Sequence, residues 1–393
     1  MIKPSMTFAL LTAAAVAGTL SAQQAGRGGA QFPGGTNPDG SLRPSAPVTR
    51  LFTQDAYTEY ALLEPGSASF RIRFLPEETR VGATELVNAT RGGSEGGDVE
   101  VYDPRTGKPL EFTYEAQASD PSTHEIRAKL PIPVPEGGVG RVLIYKTYKD
   151  DRTYMMNGDD IVWVRSLSGY RLGVLLPKGF ALVSSNVAAQ LATTTDGRLK
   201  LAFANPSGQS NPVTIHARRT QAAMPPRPYE DMFFDDIKTL YDIQSNGERI
   251  NVEQTYSDYR KGSVAVLDTL QFLTLQRIKV VDLDTGKELP VSRNGAGGSA
   301  PLAVPITNDR QSAHLKLTGT LVEGARIQNG ELVFDMTLRG MRNTVLLPEG
   351  WDLTGSNQSG TIGTYRNRTF VAFINLNSEN NYRVTIRAVK NAK

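Results

Sequence analysis

Cysteine is missing from all 393 residues. A chain read as exported but without cysteine has no disulfide framework, so burial of apolar surface has to hold it together. A thioether lipid anchor is excluded as well, because its attachment needs a cysteine just after the cleavage site. Histidine is almost as scarce. His124, His216 and His314 stand far apart and no His-Glu-x-x-His run occurs, so the chain shows no zinc ligand set. A dominant charge of one sign is lacking too: 43 Lys and Arg face 40 Asp and Glu, for a net charge of +3. No basic cluster of the kind that tracks phosphates is present, which removes the argument for nucleic acid. Nor is there an apolar run of bilayer length. The stretch 8–17 is too short to span comfortably and has Lys3 before it and Leu20-Ser21-Ala22 after it. Residues 1–22 are therefore expected to be a signal peptide cut after Ala22, with Ala15-Val16-Ala17 as a competing cut site. No integral membrane segment is expected after cleavage.

What is present is a repeat. Residues 174–180 read Val-Leu-Leu-Pro-Lys-Gly-Phe, and residues 345–351 read Val-Leu-Leu-Pro-Glu-Gly-Trp, 171 positions on. The match runs without a gap from Ile161 and Leu332 into Asn186 and Asn357, and resumes at Val213 and Val384. Solenoid and propeller units recur every 20–50 residues or so, and a longer period means a duplicated domain. Asp103 to Lys108 pairs with Asp282 to Lys287, and His124 with His314 is a further expected pairing. Residues 23–48, rich in Gly, Pro and Gln, read as a tether. The predicted organisation is a first repeat over 49–219, a Pro-rich linker over 220–228 and a second repeat over 229–393.

Inside each copy the signal has period two. In residues 67–74, Phe70, Ile72 and Phe74 share one face and arginines take the other. Residues 98–102, 124–130 and 198–203 alternate in the same way, with turn sequences between them. The expected fold is all-β: two tandem, internally duplicated antiparallel β-sandwich domains, immunoglobulin-like in build, with about ten or eleven strands each. A short helix competes only over 229–242.

Catalytic motifs fail on context. Gly92-Gly-Ser-Glu-Gly96 has the spacing of a nucleophile elbow, but a strand is expected after it where that chemistry needs a helix. Gly295 to Ala300 falls short of a dinucleotide fingerprint, with Pro301 where a helix would open. The two Thr-Gly-Lys turns lack phosphate-loop glycines. The best functional candidate is an acidic loop expected in copy one alone. Asp150, Asp151, Asn157, Asp159 and Asp160 could offer hard oxygen ligands to calcium, although no EF-hand spacing is present. Tyr148, Tyr154 and Met155 beside them would form a binding surface if exposed. Trp163 aligns with Phe334 and Trp351 with Phe180, which places both tryptophans in the core. No other cofactor is expected.

The order Phe70-Arg-Ile-Arg-Phe74, Glu85-Leu-Val-Asn88, His124 through Pro131 and Arg141-Val-Leu-Ile-Tyr145 resembles the N-terminal β-sandwich domain of M1-type aminopeptidases, over about a hundred residues. That resemblance implies a shared scaffold. The family's zinc motif is not in this chain, so it implies no peptidase activity and lends no site residue. The expected function is that of a secreted or periplasmic, non-enzymatic binding or scaffold protein whose partner is a protein or glycan of the cell envelope. The competing expectation is an extracellular glycan-active enzyme or accessory carbohydrate-binding protein, since such enzymes need only two carboxylates. A pocket with two close carboxylates between the copies is what would favour it.

Overall fold

The computed structural model describes residues 56–90, 95–205, 210–221, 236–258, 264–267, 275–293, 302–306, 312–375 and 382–391. The expected signal peptide and tether, the linker beyond Gln221, Gly92 to Ser94 of the serine motif and Gly295 to Ala300 lie outside these residues. The described chain holds thirty strands and no helix. Two tandem β-sandwiches result, with fifteen strands in each copy; the shortest strands, such as Gly140–Arg141 and Glu288–Leu289, carry no alternation from which to predict them.

Each copy is built on one large twisted sheet. In the first its order is Gln190–Thr193, Leu199–Ala204, Arg171–Leu175, Ala56–Leu62, Ser69–Glu78, Leu143–Lys149 and Glu95–Tyr102. In the second the order is Thr361–Tyr365, Arg368–Ile374, Arg342–Leu346, Asp236–Ile243, Ile250–Asp258, Ala313–Leu321 and Gln276–Asp282. The two orders correspond strand for strand. Val174 and Val345 sit on equivalent strands, opposite Tyr60 and Tyr241. Register irregularities recur as well, at Leu182/Ser184 and Leu353/Gly355. A bulge kept in both copies belongs to the fold.

Two smaller sheets cover one face of the large one. In copy one the four-stranded sheet is Phe180–Ser185, Asn211–Arg219, Asp160–Leu167 and Tyr154–Asn157. Its Trp163, Phe180, Val213 and Ile215 pack onto Tyr60, Phe70, Ile72 and Val174. A three-stranded sheet, Glu85–Ala89, Asp120–Lys129 and Phe112–Gln117, closes a second core in which Leu86, Ile126 and Ala128 meet Val101, Val142 and Ile144. Both small sheets have counterparts in copy two.

Four expectations need correction. The sandwich is antiparallel except for one parallel pair in each copy, Ala56–Leu62 with Arg171–Leu175 and its equivalent. A parallel neighbour needs a long crossover, which alternation cannot reveal. Residues 236–243, in the stretch where a helix competed, form a strand paired on both sides. His124 lies in the three-stranded sheet and His314 in the large one, where pairing makes it the counterpart of Arg141. Finally, the loop assigned to copy one alone is a hairpin that copy two repeats as Ala325–Gln328 with Glu331–Leu338.

The copies meet through reciprocal contacts. The Val139 amide donates to the Leu283 carbonyl at 2.7 Å, and the Ser312 hydroxyl donates to the Pro104 carbonyl at 3.0 Å. Pro104 and Leu283 hold the same place in their turns, as Val139 and Ser312 do in theirs, so the contact is locally twofold. Arg141 clamps Asp284 across it, with Nε to Oδ1 at 2.7 Å and Nη2 to Oδ2 at 2.6 Å, both side chains buried. His314 stands 3.4 Å from Glu77 and 3.9 Å from Asp284. Met341 of copy two packs on Tyr57, Leu75, Leu143 and Ala202 of copy one. Close approach makes glycine necessary at two points. A Cβ on Gly138 would run into the Leu283 carbonyl oxygen, and one on Gly286, where φ is +69°, would stand 2.7 Å from Pro135 Cβ.

Candidate functional site

The acidic hairpin is held by its own partners. Asp150 is buried and its carboxylate accepts hydrogen bonds from the Arg152 amide at 3.1 Å and the Thr153 hydroxyl at 2.9 Å. It ties the turn that leads into Tyr154–Asn157, a structural use of Asp that needs no ligand. Asp160 is gripped by Arg218 at 2.6 and 2.9 Å, and that hydrogen-bonded contact holds its carboxyl below the usual carboxylate range. Asp159 lies 3.4 Å from Arg219. Asp151, in the turn before the short strand, and Asn157, at its end, are exposed. Among the described residues no three of His, Cys, Asp and Glu gather as metal ligands would. Copy one exceeds copy two here by only two residues, within the turn 150–153.

The flanking aromatics divide. Tyr148 and Tyr154 are buried, and Tyr154 donates its hydroxyl to the Leu63 carbonyl at 3.1 Å. Burial pushes the Tyr154 phenol well above its ordinary value. These two tyrosines are core, so of the expected binding surface only Met155 is exposed, at 39%. Trp163 and Trp351 are buried as expected.

Beside Tyr148 the structure holds a group that sequence reasoning missed. Lys146, 5% exposed, points into the first sandwich and donates to Asn88 Oδ1 at 2.6 Å. Burial, and secondarily the charge of Arg165, lower its pKa to about 7. The unfolded chain keeps that lysine protonated to far higher pH and so binds the extra proton between about 7 and 10. Stability is therefore expected to rise with pH across that window. Lys146→Met should flatten the rise, read by urea denaturation at pH 7, 8.5 and 10.

Among the described residues the copies meet closely at the Arg141–Asp284 contact. Its cavity, bounded by Arg105, Arg141, Asp284 and neighbouring apolar residues, has about 10 Å³, room for a single water. A larger groove of about 320 Å³ lies on the outer face of the second large sheet. Asp242, Asn251, Glu253, Arg277, Thr318 and Thr320 line it. Alternation explains the lining: Tyr241, Ile243, Ile250 and Val252 turn inward, so their neighbours turn out. Arg368 pairs with Asp242 from the next strand but one, across Arg342–Leu346. In copy one the matching face is filled. Arg71 stands where Asn251 does and reaches Glu100 at 2.8 Å, with its guanidinium 5.4 Å from the Tyr145 ring. Tyr145 in turn replaces Thr318. Short side chains thus open in copy two what long ones close in copy one.

No family model matches the chain, and no curated protein matches it. Among solved structures, the C-terminal domain of the Streptococcus pyogenes antigen I/II-family protein AspA is similar over 73% of this chain and 96% of that one. The identity is 10% and the TM-score 0.19. Among the described residues no helix is long and apolar enough to cross a membrane.

Proposed function

We propose that this chain is an extracytoplasmic, non-enzymatic binding or scaffold protein whose contact surface is the groove on the second sandwich. One observation carries the reading: the groove opens beside Asn251 and Thr318, where the corresponding sheet of copy one carries the longer Arg71 and Tyr145. Such a difference opens the space that a ligand or partner needs. The lining offers amide, hydroxyl, carboxylate and guanidinium groups, which suit a hydroxyl-rich envelope glycan. Periplasmic or secreted placement rests on the export-like N-terminus. The resemblance of copy one to the aminopeptidase sandwich adds a scaffold and no chemistry.

A second reading has its own observation. Asp242 and Glu253 line the same groove, and a glycosidase needs two carboxylates. One experiment separates the readings. Asn251→Arg with Thr318→Tyr refills the groove with the residues of copy one and should leave the melting temperature nearly unchanged. Soluble cell-wall glycans screened by affinity electrophoresis should be retarded by the wild type and not by this variant. Unchanged retardation would remove the groove from consideration, and release of reducing ends by the wild type would replace the binding reading with the hydrolytic one.

A further inference from the structure

The two sandwiches differ at a second place, inside rather than outside. On the inner face of the strand Leu143–Lys149, Ile144 belongs to the core under the three-stranded sheet and Tyr148 to the core under the four-stranded sheet. Lys146 stands between them, on the seam. From the facing four-stranded sheet Arg165 points to the same seam. Its guanidinium lies 5.5, 5.2 and 5.6 Å from the ring centres of Tyr60, Phe70 and Tyr148, and the Lys146 ammonium lies 5.7 and 5.3 Å from those of Phe74 and Tyr148. Both cations are more than nine-tenths buried. Arg165 Nη1 has no hydrogen-bond partner among the described residues.

Burying two like charges without an anion is costly, and aromatic faces return only part of that cost. The fold does not require them. Strand pairing puts Gly319 at the position of Lys146 and Met336 at that of Arg165, with neutral Gln254 in place of Phe74. There the space above Gly319 is taken by Leu275, so copy two fills its seam with neutral groups, and Gln254 donates to the Thr239 hydroxyl at 3.2 Å. A pair of buried cations that the duplicate does without, one of them with an unused donor, is the arrangement of a site for an anion.

We propose that the seam of the first sandwich binds a small carboxylate, bridged between the Lys146 ammonium and the Arg165 guanidinium with Asn88 holding the lysine. The aromatic rings around the pair favour an anion with a small apolar part, such as acetate, over a strongly hydrated one. The titratable or charged groups facing the site among the described residues are Arg165 from the four-stranded sheet, Tyr60 from the large sheet, Lys146 and Tyr148 from one strand, and Tyr114 from the three-stranded sheet, whose hydroxyl stands beside the Tyr148 ring. Lys146, whose pKa burial lowers to about 7, loses its charge as pH rises past neutrality, so binding is expected to be tighter at pH 6 than at pH 9.

The test uses the whole chain. Thermal unfolding is followed in sodium acetate, sodium formate and sodium chloride at one ionic strength, at pH 6 and pH 9, with calorimetric titration of acetate beside it. The expected result is a melting temperature higher in the carboxylates than in chloride, by a margin larger at pH 6. Arg165→Met and Lys146→Met, which move the seam towards the neutral filling of copy two, should each fold and lose that margin. Two variants are needed so that one failing to fold leaves the other to decide. Equal melting in all three salts, or a margin that survives in a folded variant, would overturn the proposal.

Discussion

Replacing Asp284 with alanine is expected to destabilise the chain by about 3–5 kcal/mol, because it leaves the Arg141 guanidinium buried with its bidentate partner gone. The pair joins residues 143 positions apart, on different sandwiches. The loss should therefore appear as loss of cooperation between them, a single urea transition separating into two. Arg141→Met combined with Asp284→Leu should recover most of the loss, since replacing a buried ion pair by apolar groups of similar size is often neutral or favourable. A cost below about 1 kcal/mol for Asp284→Ala would mean that the pair is solvated, as exposed pairs are.

The other large effect lies at Trp163. It is fully buried and its ring lies 5.2 Å from that of Tyr60. In copy two Phe334 and Tyr241 make the same pair at 5.8 Å. Trp163→Ala should cost about 3–5 kcal/mol for the lost burial and the cavity left behind. Trp163→Phe should cost less than half as much. It keeps an aromatic ring that the matching site is known to accept, and it removes an indole N–H that has no hydrogen-bond partner among the described residues. Guanidinium melts of the two variants would check this, and equal costs would show that the indole shape itself is required.

Both sites bear on what could be read from the residues alone. Trp163 was legible because a duplicated sequence acts as its own comparison: an aromatic at the same position twice marks an inward volume. The sandwich followed from alternation at Phe70, Ile72 and Phe74, where burial on one face imposes the pattern. Pairing was not legible, since period two says which face a residue takes and not which strand lies beside it. Hence the parallel neighbour of residues 171–175 and the true counterpart of His314 needed coordinates. Lys146 escaped for a different reason. A lysine in an alternating strand is assigned to the wet face by default, and only the identity of its neighbours across two sheets shows that it points inward. The groove escaped in the same way, because the space is made by what Asn251 and Thr318 are too short to fill. The acidic loop drew notice through its charge, yet Arg152, Arg218 and Arg219, which occupy three of its aspartates, could be assigned only once the hairpin was placed.

Reciprocal contacts like those of Val139 with Leu283 and Ser312 with Pro104 are what two identical subunits make about a twofold axis. A homodimer with that surface would be bound by its own symmetry. With the residues of copy one on both sides, Arg141 would meet Arg105 where it now meets Asp284. Covalent linkage lifts the constraint, so the two sides can carry opposite charges. It also removes dilution from the balance: association no longer depends on protein concentration, because each half is held at a fixed local concentration of the other.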